Sequence, residues 1–182
     1  MPNAYDTHCP VIPMREDSIN FVGAKYPNRE ETLQALVASG LPVRAYGRAW
    51  SRHFYDILRT KQFKDSGVPA GRDIDRSEAY GIMASSPATL NIHNNQDGFT
   101  MRTFEAPGVG ALQVIDRADV DRYYIPGEEV LVYQSIDELI EICTRIFREP
   151  KWARQIREAG QKRTLAEHTF DQRVKILEQL WA

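Results

Sequence analysis

The chain has 182 residues, 42% of them hydrophobic and 26% charged, with a formal net charge of -2. That length supports one substantial core and not two ordinary α/β domains, and the charge leaves no basic surplus for gripping a nucleic acid. No stretch approaches the roughly 20 apolar residues of a membrane span and no basic-then-apolar leader opens the sequence, so a cytoplasmic setting is the expectation.

Residues 1–17 carry three prolines and no periodicity, which predicts an extended lead-in or interdomain linker ahead of a folded domain over 18–182. Ile19 to Gly23 reads as a short apolar strand. Asn28, followed three residues on by Glu31, reads as the N-cap of a helix over about 29–39 that ends at Gly40. A second strand runs from Pro42 to Tyr46. Trp50, Phe54, Ile57 and Leu58 then fall at helical spacing, residues 61–71 are loop-like, and Asp75 with Glu78 forms a capping box for the next helix. Further strands are expected over 88–92, 110–115 and 129–133, with a helix over 98–106 between the first two. Ser135 caps a helix in which Cys143 shares an apolar stripe with Ile136, Leu139, Ile140 and Phe147. Cys9 and Cys143 are too far apart, and too lacking in Cys-x-x-Cys pattern, to suggest a zinc site or a disulfide. The remainder, 150–181, is helical in period with a break near His168 and Thr169. Alternating strands and helices with long crossovers predict a single-domain α/β fold, a Rossmann-like three-layer α/β/α sandwich around a parallel sheet. Ligands of such sheets bind at the carboxyl ends of the strands, so residues that follow strands are the informative ones.

The densest of these segments is 90–110. It leaves a strand through the polar residues His93, Asn94, Asn95, Gln96 and Asp97 and enters the expected helix at Gly98. A helix start presents unpaired N–H groups and about half a positive charge, so amides around Phe99, Thr100 and Met101 suit a diphosphate, with Gly98 permitting close approach. Arg102 is placed to neutralise phosphate charge. Glu105, eight residues after Asp97, would reach ribose hydroxyls while Asp97 faces a sugar. The same residues also fit an ordinary acidic strand-to-helix turn, and the residues alone leave both open.

Read as a block, Asp97-Gly-Phe-Thr-Met-Arg-Thr-Phe-Glu105-Ala resembles the Glu-x7-Glu region of group 1 glycosyltransferases, with the first carboxylate one methylene shorter. It is more closely similar to the CgeB-like (spore-maturation type) glycosyltransferase domain, in Asn91-Ile-His93, in the run from Asp97 to Glu105, in Pro126-Gly-Glu-Glu129 and in His168-Thr-Phe-Asp-Gln-Arg173. With Phe21-Val-Gly23 and Asn28-Arg-Glu30, these blocks span nearly the whole chain. The resemblance implies the C-terminal, donor-binding half of a B-type glycosyltransferase, with a nucleoside diphosphate sugar as donor, an unidentified acceptor and a separate N-terminal acceptor-binding domain. It implies that Glu105 holds the ribose, Asp97 contacts the donor sugar, and Lys25 and Arg29 lie near the pyrophosphate; no metal or other cofactor is then required. Asp97 and His93 are the candidate catalytic groups.

Each residue also has a plainer role open to it. Arg29 fits a solvated helix turn, and His93 a hydrogen-bonded strand end. Asp119 and Asp121 superficially match the Asp-x-Asp metal motif but suit a short helix better; Gly108 and Gly110 follow a helix and so form no dinucleotide fingerprint. His168 reads as structural, and the loop with Gly67, Val68 and Gly71 is placed near the base by analogy alone. The shorter Asp97 and the single domain also fit a catalytically silent nucleotide-binding module, or an interaction domain without nucleotide.

Overall fold

Five strands, β1 (Ile19–Val22), β2 (Val43–Tyr46), β3 (Thr89–Asn91), β4 (Gln113–Ile115) and β5 (Leu131–Val132), pair in parallel in the order β2-β1-β3-β4-β5. The computed structural model describes residues 2–93 and 97–181; Asn94, Asn95 and Gln96 of the polar loop lie outside the described residues. Phe21 stands beside Ala45 on one side and Leu90 on the other, and Leu90 beside Val114. A further parallel bridge, Ala45 to Ala70, extends the sheet beyond β2.

Parallel strands need crossovers. Most are helical: α1 (Pro27–Ala38), α2 (Phe54–Thr60) and α3 (Arg76–Ser85), then α4 (Arg102–Gly108). A 3-10 turn (Ala118–Arg122) leads to β5, and α5 (Ile136–Arg148), α6 (Pro150–Glu167) and α7 (Phe170–Trp181) complete the chain. Because successive strand residues point to opposite faces, the sheet serves two cores. Val114 joins Leu33 and Leu36 of α1 and Leu139, Cys143 and Ile146 of α5, whereas Ile115 joins Tyr80 and Met83 of α3 and Phe104 of α4. This is the Rossmann-like α/β arrangement that the alternation of elements predicts.

Three local differences have physical causes. Helix α1 starts at Pro27, whose fixed φ suits a first helical position, and Tyr26 precedes it as N-cap instead of Asn28. Helix α4 starts at Arg102, not Gly98: Gly98 has φ +72°, which no right-handed helix accommodates, and residues 98–101 form a turn ahead of the helix. The stripe expected from Trp50 to Leu58 splits, with Trp50 buried under Phe21 and its indole N–H donating to the Gly23 carbonyl at 2.9 Å, while Phe54 and Leu58 face outward.

The lead-in runs extended but is docked. Tyr5 N–H donates to the His168 carbonyl at 2.8 Å, Phe170 N–H donates to the Tyr5 carbonyl at 3.0 Å, and the Tyr5 ring packs on Tyr80 and over Gly108. Farther along, Ile12 N–H donates to the Ser77 carbonyl at 3.2 Å, so residues 2–17 fasten α3, α4 and the start of α7 together.

Candidate functional site

The connection after β1 turns towards β2 and that after β3 turns towards β4, so the carboxyl ends of β1 and β3 part and leave a crevice between them. Its volume is about 490 Å3. Gly23, Tyr26 and Arg29 line it after β1, Asn91 and Ile92 at the end of β3, Asp75 and Arg76 at the start of α3, and Thr100, Met101, Arg102 and Glu105 on the approach to α4 and within it.

Glu105 is the acidic centre of this crevice, its side chain only 4% exposed. One turn of helix earlier, Arg102 sets Nη1 at 3.0 Å from Oε2. Arg76 brings Nε to 3.6 Å from Oε1, and the Tyr80 hydroxyl donates to the same oxygen at 3.2 Å. Burial, and then the Glu105 charge, push the Tyr80 phenol above its usual range, so it remains a protonated donor. Arg76 is half-exposed and also reaches Asp6 of the lead-in at 3.6 Å. Both guanidinium groups are partly exposed at the crevice, so each can turn from its carboxylate to donate to an anion placed there.

Arg29 spans the crevice. Its Nε and Nη2 donate to the Ile92 carbonyl at 3.0 and 2.7 Å and its Nη1 to the Ala24 carbonyl at 3.1 Å, joining the ends of β3 and β1. The guanidinium lies 4.9 Å from the Tyr26 ring centre and 5.4 Å from that of Phe21. Burial lowers its pKa from the ordinary arginine value.

Behind the crevice a polar ladder holds α4 to the sheet. Asn91 Nδ2 donates to Thr103 Oγ1 at 3.1 Å and to Gln113 Oε1 at 3.0 Å. His93 is completely buried; its backbone N–H donates to both Asp116 oxygens at 2.9 Å, and Nδ1 stands 3.3 Å from Asp116 Oδ1. Its Nε2 accepts from the Thr100 N–H at 3.4 Å and lies 3.2 Å from Thr103 Oγ1, which assigns the neutral tautomer with the proton on Nδ1. The turn itself is staked by Arg117, whose guanidinium lies 4.7 Å from the Phe99 ring centre and whose Nη1 donates to the Gly98 carbonyl at 3.3 Å.

Of the residues singled out from sequence, the fold thus brings Arg29, Thr100, Met101, Arg102 and Glu105 to one crevice. Gly98 and Phe99 form the turn beside it, Asp97 is exposed outside its lining, and His93 stands behind it. Lys25 points elsewhere, paired with Glu30 at 3.0 Å and with Nζ 5.5 Å from the Trp50 ring centre. Arg76, Tyr80 and Asp116 escaped the sequence reading; the capping box at Asp75 was the one signal that a strand-following helix start lay nearby. Asp119 sits in the 3-10 turn, bound to Arg117 at 2.7 Å. Among the described residues no group of three or more histidine, cysteine or acidic side chains is placed to hold a metal ion, and no helix is long and apolar enough to cross a membrane.

A parallel sheet in this order, open at the β1/β3 crevice, is a doubly wound α/β domain of the Rossmann-like type. Residues 29–179 match the family described as Glycosyl transferase-like, and the chain belongs to it. Sucrose-phosphate synthase from Thermosynechococcus elongatus has a similar structure, with a TM-score of 0.69 at 16% identity over 99% of this chain and 52% of that one. The Anabaena protein HepE, solved with UDP-glucose, gives 0.65 at 14% identity over 91% and 49%. The DNA-modifying enzyme β-glucosyltransferase, solved with and without uridine diphosphoglucose, gives 0.63 at 13% identity over 86% and 49%. The chain therefore spans about half the length of these structures, and its fold is that of one half of a B-type glycosyltransferase. No curated protein matches it in sequence.

Proposed function

We propose that this chain is the donor half of a CgeB-like glycosyltransferase, holding a nucleoside diphosphate sugar in the β1/β3 crevice for transfer to an acceptor carried by a second, N-terminal half. The observation that carries this reading is Glu105, buried on the crevice floor between Arg102, Arg76 and Tyr80. A carboxylate so placed accepts from the paired hydroxyls of a ribose, and the arginines it currently engages are then free to meet the diphosphate. Sugar transfer breaks the bond between the anomeric carbon and the terminal phosphate oxygen, and the electron pair leaves with the diphosphate. Positioned cations stabilise that charge as it forms, so the proposed reaction needs no metal. Thr100 and Met101, held after the turn at Gly98, supply the crevice wall in this reading. Asp97, exposed beyond it, is the side chain we assign to the donor sugar; His93 acts through Thr100 and Thr103 by fixing the turn. Lys25 has no part in it.

The test is thermal unfolding with UDP, GDP and ADP in turn. One nucleotide is expected to raise the melting temperature, as binding at a hundredfold excess over Kd stabilises by about 2.7 kcal/mol, and Glu105→Ala should abolish the shift. No shift with any nucleotide at millimolar concentration overturns the reading. A second reading, a nucleotide-binding module without catalysis, is favoured by the exposed position of Asp97. It predicts the same shifts but no sugar release or transfer when the chain is combined with its acceptor-binding half.

A further inference from the structure

Helix α2 lies on the protein with its apolar side outward. At 3.6 residues per turn, Phe54, Leu58 and Tyr55 share one side with Arg59 at its margin, and Asp56, Ile57 and Thr60 form the other. The first three are 66%, 53% and 71% exposed, and Phe63, three residues past the helix, is 73% exposed. The side turned to the protein is held by polar groups: the Ser51 hydroxyl donates to Asp56 Oδ2 at 2.6 Å, and Arg72 stands 3.7 Å from the same oxygen. No residue of α2 is buried. Amphipathic helices are anchored by burying their apolar faces, so this orientation leaves the favourable burial unrealised unless something else covers the helix.

Charge identifies the cover. Both acidic residues of the segment are neutralised, Asp56 by Arg72 and Asp65 by Arg52. Arg59, Lys61 and Lys64 are exposed and form no ion pair among the described residues, so the rim of the apolar side is purely cationic in a chain whose net charge is -2. Protein interfaces are depleted in lysine, whereas two of these three cations are lysines. A single-stranded nucleic acid needs a groove that tracks its backbone, and a convex helix has none. A flat anionic surface with an apolar interior fits both features. We propose that residues 54–64 form a membrane-surface anchor, with Phe54, Tyr55, Leu58 and Phe63 seated at the headgroup level of an anionic bilayer and Arg59, Lys61 and Lys64 on lipid phosphates. So small an anchor binds reversibly and is salt-sensitive. None of these residues lines the β1/β3 crevice, so the anchor stands or falls independently of the donor site.

Vesicle flotation of the 182-residue chain decides the matter. The chain should float with vesicles of phosphatidylcholine mixed with phosphatidylglycerol, stay behind with phosphatidylcholine alone, and be released by high salt. The double variant F54S/L58S should bind roughly tenfold more weakly or worse, and each cation removed from Arg59, Lys61 and Lys64 by glutamine should cost about fivefold, with unchanged melting temperatures because the side chains are exposed. Failure to float with anionic vesicles, or flotation indifferent to both sets of variants, overturns the proposal. It is equally overturned if the serine variant abolishes a dimer seen on gel filtration, or if the chain prefers an oligonucleotide to the vesicles and the glutamine variant loses that preference.

Discussion

Glu105 shows how much a single carboxylate is asked to do. It sits in a wall that excludes most water, yet two cations and a phenol satisfy its oxygens. The substitution E105Q keeps the shape but presents an amide N–H2 to one of the two arginines. Because Arg76 and Arg102 are both partly exposed and can turn to solvent, the stability loss should be modest, about 1–2 kcal/mol, while nucleotide-induced stabilisation should disappear. Urea unfolding with and without nucleotide separates the two effects, and a full nucleotide response in E105Q would remove Glu105 from the site. The cysteines offer an independent check on the cores. Cys143 is completely buried among aliphatic side chains, and burial pushes its thiol up to about 12; Cys9 is partly accessible on the lead-in. A thiol reagent should therefore titrate one sulfur in the native protein and two after unfolding. Two equally fast sulfurs would mean that the α5 core opens readily.

At the scale of elements, strands and most helices were legible because their signals are local: alternation of apolar runs, Ser135 and the Asp75 capping box, the break near His168. The start of α4 was not. It depends on a positive φ at Gly98 and on a ring, His93, that sequence spacing does not point at Thr100. The same holds for the crevice: Arg102 and Glu105 are one turn apart and could be paired by eye, but Tyr80 and Arg76 arrive from a helix upstream, 25 and 29 residues before Glu105, through packing alone. The orientation of α2 was likewise hidden, since its apolar spacing is that of a core helix. Nor did three prolines reveal that the lead-in is clamped on α3. That clamp gives a sharp expectation. A Cβ on Gly81 would overlap the Ile12 carbonyl, which is backbone and cannot swing aside. G81A should therefore displace the lead-in, lowering stability by about 1–3 kcal/mol and exposing the N-terminal residues to proteolysis. G67A makes the control, because space there is open and only its positive φ is strained; wild-type protease resistance in G81A would show that the lead-in is not held against α3.

Over the whole molecule, the two ends of the chain meet at one corner. Tyr5 pairs with Thr169 in a parallel bridge, and His168 beside it packs among Phe104, Tyr123 and Tyr124. Its ring is wired at both nitrogens: Nε2 lies 3.0 Å from the Tyr123 carbonyl, and Nδ1 lies 3.2 Å from Arg173 Nη2, so Nδ1 accepts and Nε2 donates. That arrangement requires a neutral ring. Burial is the main cause holding its pKa below 6.5, with Arg173 and Arg163 acting in the same sense against the Tyr123 carbonyl and Glu167. The unfolded chain then takes up the proton first as pH falls. The stability due to neutral His168 is complete above pH 6.5, declines as pH drops through the interval down to the folded pKa, and changes no further below it. Carboxylates titrating at lower pH are common to any variant, so the difference between wild type and H168N isolates the histidine. H168N should be less stable at every pH, having lost ring packing, but its free energy of unfolding should change less than that of the wild type between neutral pH and the acid side of 6.5. Parallel pH profiles for the two proteins would show that His168 does not titrate differently on folding, and that the corner where lead-in, α4, α6 and α7 converge is held by packing without this proton linkage.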